Sequence, residues 1–97
     1  MKPKLTPDAK ALYEAILSLE SMDECAKFFD DICTIKEIQD LSQRYVVAKM
    51  LDEGEKYQKI EAVTGASTAT ISRVNKCLAY GSGGYRAVLK KSKQKKA

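Results

Sequence analysis

The chain has 97 residues, a formal net charge of +4 and no histidine. This length is enough for one domain with a modest core, and the lack of histidine removes the commonest acid–base catalysts and zinc ligands. The three cysteines are scattered, and no apolar run approaches the ~20 residues of a membrane-spanning helix. We therefore expect a cytoplasmic protein that is not an enzyme and that holds no metal or other cofactor.

The charges are divided unevenly along the chain. Residues 1–55 contain 7 basic and 12 acidic side chains, whereas residues 56–97 contain 10 basic side chains and 1 acidic one. An acidic half joined to a basic half is typical of a nucleic-acid reader with a separate assembly region. Because 6 of the 10 basic residues follow Tyr85, this asymmetry depends largely on the C-terminal end.

Two short helices are predicted in the N-terminal third. Thr6 and Pro7 form a typical helix start, because threonine can cap the first turn and proline fits the first helical position. Ser21 and Glu24 form a capping box that opens the second helix. Apolar residues follow both starts at helical spacing: Leu12, Ala15, Ile16 and Leu19 in the first helix, and Cys25, Phe28, Phe29 and Ile32 in the second.

The longest predicted helix runs from Thr34 to about Asp52. Thr34 and Glu37 form another capping box at its start, and Gly54 ends it. Its apolar residues cover more of the helix surface than one small neighbour could bury: Ile38, Leu41, Tyr45, Val46, Val47, Ala48, Met50 and Leu51. We therefore predict an all-α fold of five to six helices that forms an interleaved homodimer, with a compact monomer as the alternative.

Residues 56–80 have the pattern of a helix-turn-helix. The first helix covers Tyr57 to Thr64, and Gly65 suits the left-handed conformation that often ends a helix. Ser67 can cap a second helix, in which apolar residues form one stripe. An ordinary helical hairpin with a glycine cap is the alternative.

On the opposite face of that second helix, the side chains are small and hydroxylic in the N-terminal half and basic further along. Small side chains allow a helix to approach base edges, hydroxyl groups can bond bases or phosphates, and arginine or lysine can reach guanine or phosphate. The candidate DNA contacts on the two helices are Lys56, Gln58, Lys59, Ser67, Thr68, Ala69, Thr70, Ser72, Arg73 and Lys76.

The C-terminal end follows a glycine-rich segment, residues 81–84, that reads as a flexible hinge. Residues 86–97 then contain six basic side chains and no acidic one. We therefore predict one helical domain over residues 1–85 and a basic, flexible tail over residues 86–97. The tail either holds DNA phosphates or is a solvated segment that aids solubility.

The segment Thr70-Ile71-Ser72-Arg73, preceded by Gly65-Ala66 and by Ala69, resembles the recognition-helix segment of the tryptophan repressor family. Residues 34–44 resemble the dimer-core helix of that family at the same spacing from the turn. The similarity runs from about residue 28 to residue 78 without a gap. It implies a DNA-binding homodimer, and the chain is similar in particular to short Trp-repressor-like bacterial regulators.

The resemblance also implies a ligand pocket at Thr34, Arg44, Arg73, Val74 and Cys77. The family has a glycine where this chain has Val74 and a serine where it has Cys77, and a valine side chain should occlude a planar aromatic ring. We therefore expect DNA binding that does not require tryptophan, and a small-molecule effector of unknown identity is left open. For the two arginines, a surface ion pair that adds little stability is the alternative.

The function predicted from these features is that of a sequence-specific transcriptional regulator that binds double-stranded DNA. The alternative is a helical homodimeric protein-interaction module without specific DNA binding, which the acidic first half of the chain favours. RNA binding is less favoured, because the chain lacks the aromatic platform of single-strand readers.

Overall fold

The computed structural model describes residues 5–96, and within them α-helix is the only regular secondary structure. Residues 1–4 and 97, at the outer ends of the predicted domain and tail, lie outside the described residues. The six helices are α1 (Pro7–Leu17), α2 (Met22–Ile32), α3 (Ile35–Asp52), α4 (Tyr57–Thr64), α5 (Thr68–Tyr80) and α6 (Gly84–Lys96). The predicted all-α fold is confirmed, whereas the homodimer stays a prediction. No helix among residues 5–96 has both the length and the apolarity to cross a membrane.

The chain divides into two compact units, residues 1–38 and residues 39–97. The N-terminal unit contains α1, α2 and the first turn of α3. The C-terminal unit contains the rest of α3 and the helices α4, α5 and α6.

Side-chain caps begin the helices of the N-terminal unit, as predicted. The Thr6 hydroxyl accepts a hydrogen bond from the Ala9 amide at 3.0 Å. The Thr34 hydroxyl accepts from the Glu37 amide at 3.1 Å, and the Glu37 carboxylate accepts from the Thr34 amide at 2.8 Å. This reciprocal pair is the predicted capping box of α3, and it satisfies two amide groups that helical bonding leaves open.

The capping box of α2 is displaced by one residue. The Ser21 hydroxyl accepts from the Glu24 amide at 3.1 Å, as predicted. The Glu24 carboxylate accepts from the amide of Glu20 at 3.1 Å rather than from that of Ser21. The start of α2 is therefore fixed by the same side chains through a slightly different pairing.

The N-terminal unit has no core of its own among its described residues. No residue of α1 or α2 is buried. Leu17, Met22 and Ile35 are 84%, 86% and 77% exposed. Phe28 and Phe29 contact each other edge to face, with ring centroids 5.7 Å apart. Of the apolar stripes predicted for these two helices, Leu12 and Ile32 are exposed and the other members are half-buried.

The C-terminal unit contains the core. One cluster collects its buried apolar side chains: Val47, Ala48, Met50, Ile60, Ala66, Ile71, Val74, Leu78 and Leu89. Every helix of the unit contributes to it, so the cluster fixes α4 and α5 against α3. The largest of its fully buried members are Val47, Ile60 and Ile71.

The prediction of a flexible tail over residues 86–97 is wrong, because residues 84–96 form the helix α6. Leu89 is only 4% exposed within the core, and Tyr85 packs against the same cluster. The Arg86 guanidinium donates to the carbonyl of Leu78 near the end of α5, at 2.8 Å. Lys93 forms an ion pair with Asp52 at 2.7 Å. The basic charge and the nearby glycines suggested disorder, but apolar burial and these polar contacts order the helix.

The hinge between α5 and α6 is correspondingly short. Gly83 has a φ of 89°, a left-handed conformation that glycine adopts without a steric penalty. A Cβ at Gly81 would lie 2.3 Å from the carbonyl oxygen of Cys77. Glycine is therefore needed at both positions for the chain to turn sharply from α5 into α6.

Replacement of Leu89 by alanine tests whether α6 is packed in solution. We expect Leu89→Ala to lower the free energy of unfolding by about 2–5 kcal/mol, because it removes a buried leucine side chain and leaves a cavity. Urea unfolding followed by far-UV circular dichroism, at one fixed protein concentration, measures the change. The matched control is Val88→Ala at the adjacent position, which is 53% exposed and should change the value by less than about 0.5 kcal/mol. Equal effects of the two variants would contradict the packing of α6.

Candidate nucleic-acid interface

Helices α4 and α5 form the predicted helix-turn-helix. Gly65 ends α4 in the left-handed conformation, with φ 75° and ψ 4°, and its amide donates to the Glu61 carbonyl at 2.9 Å. The Ser67 hydroxyl caps α5 by accepting from the Thr70 amide at 3.1 Å. Both predictions, the glycine turn and the serine cap, are confirmed, and only two residues separate Gly65 from the first residue of α5.

A network of side-chain hydrogen bonds fixes the turn. The Thr64 hydroxyl donates to the Ile60 carbonyl at 2.7 Å and accepts from the Ala66 amide at 3.1 Å. The amide group of Gln43, on α3, donates to the Thr64 carbonyl at 3.1 Å. The role of Gln43 was not predicted from the sequence, because it lies 21 residues from Thr64 and no local pattern connects the two.

The two faces of α5 are those predicted from its periodicity. Ile71, Val74 and Leu78 are buried on one side. On the other side the candidate DNA contacts are exposed: Thr68, Ala69, Ser72, Arg73 and Lys76. The helix therefore presents a strip of small and hydroxylic side chains that ends in two basic ones.

Two further candidate contacts, Ser67 and Thr70, are engaged in the cap of α5. The Ser67 hydroxyl donates to the Thr70 hydroxyl at 3.1 Å while it accepts from the Thr70 amide. Thr70 is only partly exposed. Their structural role is thus to begin the recognition helix, and their contact with DNA stays a prediction.

The candidate contacts on α4, Lys56, Gln58 and Lys59, are all exposed. Lys56 stands at the N-cap position. Lys59 forms an ion pair with Glu55 at 2.6 Å, and this hydrogen bond and the charge of Glu55 raise the pKa of Lys59 above its ordinary value. A phosphate would therefore compete with Glu55 for the Lys59 ammonium group.

Four of the five candidate pocket residues line one open cavity of about 320 Å³: Arg44, Arg73, Val74 and Cys77. The fifth, Thr34, belongs to the N-terminal unit, where it caps α3. Val74 is 2% exposed and is a member of the core. A valine at this position therefore fills the interior and also forms part of the cavity wall.

Thr70 and Tyr85 complete the lining of this cavity. Tyr85 was not among the predicted pocket residues, because it lies on α6, for which a helix was not predicted. The signal that could have found it is the spacing of Tyr85, Leu89 and Ser92, which places an aromatic, an apolar and a small residue on one helical stripe.

The cavity has a basic character. Two of its six lining residues are arginines and none is a carboxylate. Within the described part of the chain, neither Arg44 nor Arg73 forms an ion pair. The site therefore favours an anionic group over a cationic one. No group of three or more cysteine, aspartate or glutamate side chains among residues 5–96 is arranged to hold a metal ion.

Comparison with known proteins agrees with this arrangement. The family model described as Trp repressor protein matches residues 8–93. The protein YerC of Bacillus subtilis is 58% identical over 83 residues, which cover 86% of this chain and 80% of YerC.

Two solved structures are similar over most of the chain. A TrpR-like protein from Eubacterium eligens is 55% identical, with a TM-score of 0.86 and coverage of 89% of each chain. A protein from Staphylococcus aureus is 49% identical, with a TM-score of 0.87 and coverage of 91% of this chain and 88% of that one. This chain is therefore similar to both proteins in fold and in amino-acid sequence.

Removal of the Glu55 carboxylate tests the ion pair at the start of α4. We expect Glu55→Gln to lower the pKa of Lys59 toward its ordinary value, because the charge and the hydrogen bond that stabilise the protonated amine are weakened. An NMR titration of the Lys59 side-chain resonances measures the pKa directly. Glu61→Gln, two residues beyond Lys59 on the same helix, is the control and should leave that pKa nearly unchanged. Equal Lys59 pKa values in wild type and in Glu55→Gln would show that the Lys59–Glu55 ion pair does not form in solution.

Proposed function

The chain belongs to the Trp repressor family, and on that premise we propose that it is a cytoplasmic transcriptional regulator that binds a specific double-stranded DNA site as a homodimer. The observation that carries this proposal is the exposed face of α5, whose opposite face is buried in the core of the C-terminal unit. Family membership supports DNA binding, and the chemistry of that face supports readout of sequence.

In this proposal α5 enters the major groove, where an α-helix fits and each base pair presents a distinct pattern of donors and acceptors. Its 13 residues extend about 20 Å, at ~1.5 Å per residue. Thr68, Ala69 and Ser72 are short enough to let the helix backbone approach the base edges. Lys76 and Arg73 are long enough to reach phosphate or guanine from the middle of the helix.

The preceding helix α4 holds the DNA backbone in this proposal. Lys56 and Gln58 are exposed at its start and can donate to phosphate oxygens, which positions the protein without reading sequence. Lys59 would add a third contact by exchanging Glu55 for a phosphate.

A second copy of the chain supplies the partner for the exposed apolar side chains of the N-terminal unit. Leu17, Met22 and Ile35 are each more than three-quarters exposed, and burial of such side chains contributes about 1.5–3 kcal/mol each. A two-fold dimer would place two copies of α5 in successive major grooves about 34 Å apart, on a roughly palindromic site.

DNA binding in this proposal does not require tryptophan. The side chain of Val74 occupies the core position beside the cavity, which leaves less room for a planar ring. From the C-terminal side, α6 holds α5 through Leu89 and through the bond of Arg86 to the Leu78 carbonyl. The recognition helix thus has supports within its own chain.

The competing proposal is a helical homodimeric module that binds another protein and reads no DNA sequence. The observation that favours it is the combination of exposed apolar side chains and acidic residues in the first half of the chain. A partner protein with basic and apolar groups would fit that surface.

Selection of bound sequences from a random duplex pool, at one salt concentration and with or without tryptophan, tests the proposed function. We expect a two-fold symmetric motif under both conditions. A motif recovered only with tryptophan would refute the tryptophan-independent proposal. Binding that is sensitive to salt but blind to sequence would refute the regulator proposal and favour the protein-interaction module.

Replacement of Ser72 by glutamate tests the contact face of α5. We expect Ser72→Glu to weaken binding to the selected duplex by about 100-fold or more, because each half-site is deprived of an interaction worth ~1–3 kcal/mol and gains a charge that repels phosphate. Fluorescence anisotropy at fixed salt measures the affinity. Ala11→Glu, which adds the same charge at an exposed position of α1, should retain most of the affinity. Unchanged affinity in a folded, dimeric Ser72→Glu protein would contradict the placement of α5 in the groove.

A further inference from the structure

Helix α6 has a basic face for which the proposed function has no role. Its packed side contains Leu89 and the partly buried Ser92. Rotation of ~100° per residue places Lys90 and Lys91 on the opposite side and Lys95 on the flank beside Lys91, and all three are exposed. We call these three lysines the α6 basic face.

The charges of this face are not matched by carboxylates. No aspartate or glutamate occurs after Glu61 in the sequence. Among the side chains that the structure describes, residues 5–95, the lysine of α6 that forms an ion pair is Lys93, with Asp52. The three lysines of the α6 basic face are therefore able to form ion pairs with an anionic partner outside the subunit.

Helix stability alone does not account for this arrangement. Lysines in a last turn interact favourably with the helix dipole, but Lys90 and Lys91 lie in the middle of α6. Lys91 and Lys95 are four residues apart, and like charges at that spacing destabilise a helix. Attraction to an anionic partner would offset this repulsion.

The α6 basic face is fixed relative to the recognition helix. Both helices belong to the C-terminal unit and share its core through Leu89. Arg86 joins the first turn of α6 to the end of α5. Near the other end, the ion pair of Lys93 with Asp52 holds α6 beside the last turn of α3. Asp52 is four residues before Lys56, where α4 begins and where the backbone contacts of the helix-turn-helix are proposed.

We propose that the α6 basic face binds phosphates of the DNA that flanks the segment read by α5. The inference rests on the proposed function, since α5 must first dock on the duplex. Docking then brings the three lysines to a high local concentration near the backbone, and each lysine that neutralises a phosphate releases condensed counterions. Such contacts add affinity and salt dependence but carry no sequence information.

The test measures how the affinity for the selected duplex depends on salt. In Lys91→Gln/Lys95→Gln the slope of log affinity against log salt should become shallower by about 0.9 for each phosphate that is no longer neutralised, up to about 3.6 for two lysines in each of two subunits. Addition of Lys90→Gln should reduce the slope further. The preference for the selected duplex over a scrambled one should be retained in both variants.

Two control proteins isolate the effect of position and charge. Lys10→Gln/Lys27→Gln removes the same charge from exposed positions of α1 and α2 and should keep a slope near that of wild type. Lys91→Arg/Lys95→Arg keeps the charge and should also keep the slope. Far-UV circular dichroism and thermal unfolding verify that α6 remains folded in every variant.

The outcomes separate the two proposals. If wild type does not bind the selected duplex specifically, the proposed function fails and this inference fails with it. If wild type binds and the folded glutamine variants have its slope, the inference is overturned and the proposed function stands. An unchanged slope, together with failure of the glutamine variants to bind phosphatidylglycerol vesicles that wild type binds, would also overturn it and would assign the face to an anionic membrane surface. A shallower slope in the glutamine variants, absent in the arginine variant, supports it.

Discussion

The shared burial of Val47, Ile60 and Ile71 is the constraint on which the helix-turn-helix depends. These three side chains come from α3, α4 and α5, and all are fully buried in one cluster. Full burial of such a side chain contributes about 1.5–3 kcal/mol, compared with about 1 kcal/mol for a typical capping residue. Capping sets where each helix begins, but it cannot set the angle between helices. Because the three residues belong to one buried cluster, α4 and α5 have one orientation on α3, and the exposed face of α5 has one direction.

Helix α6 depends on the same core. A 13-residue helix rich in lysine is marginal in isolation, since helix nucleation is costly and short helices rely on tertiary packing. Leu89 supplies that packing, while Arg86 satisfies a carbonyl near the end of α5 that helical bonding leaves open. The stabilisation is reciprocal. α6 is ordered because the core accepts Leu89, and the end of α5 is held because α6 is ordered.

The features that sequence predicts correctly are those whose chemistry lies within about four residues. The caps at Thr6 and Thr34 and the left-handed turn at Gly65 are of this kind, and each is found where the local pattern places it. The contact of Gln43 with the Thr64 carbonyl could not be predicted, because the partners are distant in sequence and glutamine has no positional preference that reveals it. The order of α6 could not be predicted either, since one leucine among many lysines is a weak signal until the core that accepts it is known.

In the candidate pocket, Arg73, Val74 and Cys77 are neighbours on α5, so their common position follows from helical geometry. Arg44 lies on α3 and was placed with them by the family resemblance, whereas Tyr85 was missed because it enters from α6.

The separation of the core from the exposed apolar surface has a consequence for the proposed regulator. The buried residues of the described chain all lie in the C-terminal unit, whereas α1 and α2 contain none. The orientation of α5 within a subunit is therefore set by that subunit's own core and does not need a partner. The spacing between two recognition helices, in contrast, would be set by whatever covers the apolar side chains of the N-terminal unit. A change in the core would then alter the affinity of each half-site, and a change in the N-terminal helices would alter the half-site spacing that the dimer accepts.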